Sequence, residues 1–264
     1  MDQYSHRYSV TAADMDTRYR ITPNAILLYY QDAWARFMGC LHMAAFDVVK
    51  HNLMWVISEF NAWFSSDTAF WGEDIDVVVW NSEVSALRVY ADFRILKTDK
   101  TELAHGYGCW TLLDTQTHQL RPLSALPHPL PVLPQFTTDS HKKLRYPTEG
   151  TPLNQIEHRV NPINLDFNKH VNNRTYLSIA MQFADSQFMD EHAITTLSIR
   201  WLCESFLGDT LRCRLTLLPR DQKDGVYAYL QKIERDGGEA AAQIYSEWAP
   251  RTFITDITLH ASRT

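Results

Sequence analysis

The chain has 264 residues, 45% hydrophobic, 12% aromatic and 21% charged, a composition that supports one large globular domain or two smaller ones. Its net charge of −6, from 25 Lys+Arg against 31 Asp+Glu, argues against a nucleic-acid binder, which usually presents a basic face. No run of 18 apolar residues is available to span a membrane, and MDQYSHRYSV carries no leader-like pattern, so a cytoplasmic location is expected.

In chain order, the first predicted element is a helix over PNAILLYYQDAWARFM, residues 23–38. FWGEDIDVVVW, Phe70–Trp80, then opens a strand from a Gly-acid turn. Two further strands, ending at Trp110, are joined by a polar turn at Thr98–Thr101. Seven of the eleven prolines fall between Pro122 and Pro152. Proline fixes φ and removes a donor, so this stretch reads as a connector, with a surface loop inside one domain as the alternative.

The pattern then repeats. Val10–Asp16 overlays Val160–Asp166, and without a gap Ile21 falls on Val171, Thr22 on Asn172 and Leu27 on Leu177. A second long helix is predicted over NNRTYLSIAMQFADSQFM, with Tyr176, Ala180, Phe183 and Ala184 at helical spacing. FLGDTLRCRLTL parallels the first Gly-acid strand. The run from Val226 to Trp248 parallels Val89 to Trp110, with its turn at Asp236–Gly238. The expected organisation is an α+β fold of two tandem units: residues 1–121, a connector over 122–155, and residues 156–264. Each unit packs a long helix on an antiparallel sheet.

The most unusual stretch is NLDFNKHVNNRTYL, which crowds Asp166, Asn168, His170, Asn172 and Asn173 before the second helix. Asn172-Asn173 suits a helix N-cap. Asp166, Asn168 and His170 alternate, so an extended backbone would put them on one side. In the gapless overlay Arg18 stands at Asn168 and Arg20 at His170, while Asp16 matches Asp166. Only the second unit therefore carries the amide and the imidazole.

The Asp166-Phe-Asn168-Lys-His170-Val-Asn172-Asn173 motif resembles the catalytic segment of fatty acyl-ACP thioesterases. Asn52–Ile57 followed by Trp71-Gly72-Glu73 resembles that family's first-half strand and turn. The resemblance spans roughly Tyr8 to Pro250 and is closest to the bacterial type. It implies a double hotdog fold and hydrolysis of fatty acyl-ACP to fatty acid and holo-ACP by activated water. No cofactor and no metal are implied, and acyl carrier protein is the partner.

The resemblance also assigns roles. The implied catalytic residues are Asp166, Asn168, His170 and Glu204, with His170 and Glu204 activating water, Asp166 orienting the site and Asn168 positioning water or carbonyl. Asn172 and Asn173 lie where the helix N-terminus would meet the thioester. The first half implies the acyl cavity, with Met54, Trp55, Ile57, Phe60 and residues 25–38 as its lining.

The plant enzymes of the family carry a cysteine directly after the glutamate, whereas this chain has Ser205 there and Cys203 just before. The departure speaks against a cysteine nucleophile. The four cysteines, Cys40, Cys109, Cys203 and Cys213, show no metal-ligand spacing and read as reduced thiols. Lys142, Lys143 and Arg145 read as a solvated face, with a carrier-docking patch as the alternative.

Other readings stay open at this point. One is an acyl-CoA hydrolase, another a non-catalytic acyl-binding module. A hotdog hydratase is disfavoured because its Asp-x-Asn-Pro-x-His spacing is one residue longer. A homodimer is also open, although the internal duplication would already supply the pairing of two units.

Overall fold

A computed structural model describes residues 1–139, 141, 146–147, 149–219 and 225–251. Its first half runs β1 (Tyr4–Ser9), α1 (Pro23–Cys40), α2 (Ala45–Val48), β2 (Leu53–Phe64), β3 (Asp74–Val84), β4 (Val89–Lys97), β5 (Glu102–Asp114) and β6 (Leu120–Arg121). The second runs β7 (Thr151–Arg159), α3 (Asn173–Met181), α4 (Ser186–Glu191), β8 (His192–Trp201), β9 (Thr210–Leu217), β10 (Tyr227–Glu234) and β11 (Ala240–Pro250). All strands join one antiparallel sheet of order β1-β3-β4-β5-β2-β8-β11-β10-β9-β7, with β6 beside β5. The order is the same in both halves when each is read towards the centre. β2 and β8 meet there through the pairs Glu59–Arg200 to Trp63–Thr196, so the backbone ladder fuses the two units.

The duplication extends to single hydrogen bonds. Val10 N–H donates to Glu73 O and Gly72 N–H to Val10 O; Val160 with Asp209 and Gly208 with Val160 do the same. Gly72 and Gly208 sit at φ 80° and 88°, a conformation that a Cβ would penalise. Before each helix the chain makes one loop. Asp16 N–H donates to Arg20 O and Asp166 N–H to His170 O, both at 2.8 Å. Met15–Ile21 and Leu165–Val171 close the two loops as isolated bridges. The loops therefore turn rather than extend, with Tyr19 at φ 58° and Lys169 at φ 64°. The alternation of Asp166, Asn168 and His170 accordingly does not define a shared face.

α1 begins with Pro23 at its first turn and is capped by Thr22, whose Oγ1 accepts the Ala25 N–H at 3.1 Å. Nine of its side chains are buried, among them Tyr30, Trp34 and Phe37, as expected of a helix wrapped by a sheet. Gly108 on β5 permits a close approach of α1: a Cβ there would meet the Tyr30 hydroxyl at 2.3 Å. That hydroxyl donates to Ala91 O and accepts from Trp110 Nε1.

The second helix departs from expectation. α3 stops at Met181, and Asp185 starts α4 by accepting the Phe188 N–H at 2.7 Å. A carboxylate that captures a nearby N–H competes with helix continuation. Phe183 instead joins Phe188, Tyr229 and Trp248 in a separate aromatic cluster.

The proline-rich segment crosses the outer face of the first half's sheet as a strap. Leu133 N–H donates to Asn81 O, Trp80 Nε1 to Gln135 O, and the Thr137 N–H and hydroxyl to Asp92. His141 Nε2 lies 2.7 Å from the fully buried Asp92 carboxylate and its Nδ1 is 3.3 Å from Glu83. The strap thus supplies partners for polar groups that the sheet buries. Lys142, Lys143 and Arg145 lie outside the described residues. All four cysteines are free. No helix among the described residues is long and apolar enough to cross a membrane.

Candidate active site

A cavity of about 980 Å³ opens beside the N-terminus of α3, at the upper end of the size range of small-molecule sites. Asp166, Asn168, His170 and Glu204 all line it. So do Asn172, Asn173, Met54, Trp55 and Ile57. Of the expected α1 stretch only residues from Gln31 onward reach the cavity. Phe60 does not; it is wholly buried against Tyr30 and Phe93.

The apolar wall is built from indoles. Trp34 stacks on Trp110 at 3.9 Å and meets Trp55 edge-on at 5.2 Å. Such pairs contribute about 0.5–1.5 kcal/mol beyond area burial. Each ring also places its N–H: Trp34 on Asn81 Oδ1, Trp55 on Met43 O and Trp110 on the Tyr30 hydroxyl. None of the three indole donors is therefore left orphaned where the wall stays dry. Met54 to Ser58 of β2 line the cavity, and a bulge between Ile57 and Glu59 brings Ser58 to it beside Ile57. Phe46 and Phe167, from opposite halves and 78% and 74% exposed, stack 6.2 Å apart at its rim.

Polar groups converge at the other side. Glu204 follows β8, and its Oε1 lies 3.3 Å from His170 Nδ1, without the alignment of a full hydrogen bond. Catalytic contacts of this kind tighten around substrate. Among the described residues Asp166 makes no hydrogen bond to the His170 ring. Its Oδ1 accepts the N–H groups of Asn168 at 2.8 Å and His170 at 3.2 Å. Asp16 accepts those of Arg18 and Arg20 in the same way. The aspartate thus shapes the loop in both halves. What distinguishes the second half is Asn168, His170 and Glu204, with Thr68 standing at the position of Glu204 when Gly72 is set on Gly208.

Asn172 caps α3, accepting the Arg174 N–H on its side chain at 2.9 Å and the Thr175 N–H on its carbonyl at 2.8 Å. This leaves the Asn173 N–H without a partner among the described residues, at the positive end of the helix. Tyr176, one turn on, lines the cavity with its phenol pushed up to about 12 by burial, so it is a neutral donor. Burial likewise pushes the Cys203 thiol up, which opposes thiolate formation. Ser205 is fully buried and does not line the cavity.

One polar residue of the site was not found by sequence reasoning. His118, in the turn between β5 and β6, places Nδ1 3.0 Å from Glu204 Oε2. No local motif marks it; only the β5-β2-β8 strand order brings that turn to the second half.

Comparison with known proteins gives a consistent result. The acyl-ACP thioesterase N-terminal domain matches residues 1–125 and the acyl-ACP thioesterase C-terminal domain residues 150–250. No curated protein sequence matches. Among solved structures, one from Lactobacillus plantarum described as an oleoyl thioesterase superposes with a TM-score of 0.82 at 18% identity, covering 95% of this chain and 97% of that one. An acyl-ACP thioesterase from Bacteroides thetaiotaomicron gives 0.80 at 13% identity, over 94% and 98% of the two chains. The 12:0-ACP thioesterase from Umbellularia californica gives 0.79 at 17%, over 94% of each. These likenesses carry the double hotdog fold; the two domain matches, which together span most of the sequence, carry the family. The chain belongs to the acyl-ACP thioesterases, thioester hydrolases that act on acyl-ACP.

Proposed function

We propose that this chain hydrolyses a fatty acyl-ACP by water activated at the His170–Glu204 pair. The observation that carries the reading is their 3.3 Å contact at one side of an indole-lined cavity, beside a helix N-terminus. The acyl chain enters the apolar wall, which leaves the thioester near Asn168, His170 and Asn173. Glu204 holds the His170 Nδ1 proton, so that Nε2 presents its lone pair to water. The resulting imidazolium is stabilised by the same carboxylate.

Attack on the carbonyl carbon forms a tetrahedral oxyanion. The Asn173 N–H, at the positive end of α3, faces this developing charge, and the Asn168 carboxamide positions the carbonyl or the water. Collapse breaks the C–S bond and expels the phosphopantetheine thiolate, which takes up the proton held by the His170 imidazolium. A thiol pKa near 8.5 makes it a good leaving group, so no strong acid is required. Asp166 contributes by holding the loop that carries Asn168 and His170.

The β2–β8 ladder already pairs two hotdog units within one chain, so a single chain supplies the whole site and a homodimer is not needed for hydrolysis. The enzyme works in the compartment that holds the carrier, for which the cytoplasm is the expectation.

The test is a panel of acyl-ACPs and acyl-CoAs of graded length, followed by release of free thiol. Hydrolysis of acyl-ACP at higher kcat/KM than the matched acyl-CoA is expected. Hydrolysis of acyl-CoA alone, or of neither, would overturn the reading.

A further inference from the structure

We propose that His118, donated by the first half of the chain, is a positioning residue for Glu204, so that the active site is shared between the two halves. The proposal rests on the reading of His170 and Glu204 given above. Glu204 is held from two directions: Oε1 faces His170 Nδ1 at 3.3 Å and Oε2 faces His118 Nδ1 at 3.0 Å. The two rings lie 5.9 Å apart, centroid to centroid. A carboxylate with no anchored oxygen can rotate about its terminal bond. With Oε2 fixed by His118 its plane is set, and so is the direction in which Oε1 meets the His170 Nδ1–H.

The turn that carries His118 is built to hold it. Asp114 Oδ1 accepts the N–H groups of Gln116 and Thr117, and its Oδ2 accepts from Arg121. These bonds depress the Asp114 carboxyl, the two backbone donors first. The His118 N–H closes the turn on Asp114 O at 2.9 Å. His118 itself stands at φ 55°, a left-handed conformation that is uncommon for a residue bearing a side chain. Glycine or asparagine would be the unstrained choice for a turn alone. Among the described residues Glu204 is the only hydrogen-bonding partner of the His118 ring. Its side chain is 44% exposed, so core packing does not account for it.

The crossing between halves recurs at the related site. Arg251, at the end of β11, reaches back to Asp16 of the first half at 2.9 Å. Each half thus sends one side chain from beyond its fourth long strand to the other half: Arg251 to Asp16 in the loop before α1, and His118 to Glu204 beside the loop before α3. Where the loop is flanked by arginines the visitor is Arg251; where it carries His170 the visitor is an imidazole.

The experiment compares His118→Ala, His118→Asn and His118→Gln with wild type in acyl-ACP hydrolysis. An asparagine can place an N–H where Nδ1 stands, whereas a glutamine places it further out. His118→Ala is expected to lower kcat about 10- to 100-fold with KM changed less than about threefold. His118→Asn is expected to recover most of kcat, and His118→Gln is not, with all three melting near the wild-type temperature. An alanine variant within about twofold of wild-type kcat would overturn the proposal. So would an asparagine variant as slow as alanine, or a loss that follows KM or melting temperature. His170→Ala and Glu204→Ala are measured alongside. If they too retain full activity, the catalytic reading itself fails; if they are inactive while His118→Ala is not, only the positioning role does.

Discussion

His170 Nδ1 and Glu204 Oε1 stand 3.3 Å apart, one from the loop that leads into α3 and the other from the segment leaving β8. The corresponding residues of the first half are Arg20 and Thr68. A duplicated backbone thus carries two different chemistries, because its framework hydrogen bonds involve Asp16 and Asp166 alike and leave the neighbouring side chains free to differ.

A thiol held protonated by burial is a poor nucleophile. Cys203→Ala is therefore expected to keep kcat within about threefold of wild type, whereas loss of a true nucleophile costs roughly 10⁴-fold or more. Steady-state hydrolysis of acyl-ACP checks this. A collapse of kcat in a folded Cys203→Ala protein would restore the cysteine to the mechanism.

If water attacks the acyl carbon directly, a single turnover in ¹⁸O-water places label in the fatty acid and none in the protein. An anhydride on Glu204 resolved at the protein's own carboxyl carbon would reverse that outcome. Mass spectrometry of both products after one turnover decides, with labelled Glu204 as the contrary result.

Met54 lines the cavity from the bulged strand β2 and is only half-buried, so it can be enlarged with less strain than its buried neighbour Ile57. Met54→Trp is expected to fill part of the 980 Å³ and shift kcat/KM towards shorter acyl chains. Each methylene of lost contact changes the preference by roughly 10- to 200-fold at most. An unchanged length profile would place the acyl chain elsewhere.

The strap also gives a pH dependence. Burial of His141 disfavours its cation, but hydrogen bonding and charge attraction from Asp92, aided by Glu83, outweigh this and raise its pKa above 6.5. A raised value in the folded state means that the contribution to stability is complete below about pH 6.5. It is lost as pH rises through the folded value. The melting-temperature gap between wild type and His141→Asn should therefore be widest at acid pH and shrink under alkaline conditions. A gap that widens with pH would contradict the assignment.

Much of this architecture can be read from residues alone. The Val10–Asp16 and Val160–Asp166 segments announce the repeat, and the Gly72 and Gly208 turns mark where each sheet resumes. Two things were not legible. The break between α3 and α4 depends on Asp185 capturing the Phe188 N–H, and in sequence Asp185 reads as an ordinary exposed helix position. His118 becomes part of the site only through strand order and an αL turn, neither of which leaves a local pattern. The extended reading of Asp166–His170 failed for a related reason: Lys169 adopts a positive φ, which periodicity does not record.

The most direct test of the central claim is kcat for acyl-ACP hydrolysis by His170→Ala and Glu204→Ala, each shown to be folded by its melting temperature. Removal of a general base or of its carboxylate partner should lower kcat about 10²–10⁴-fold, with KM little changed. Wild-type kcat in either folded variant would contradict the assignment of water activation to this pair.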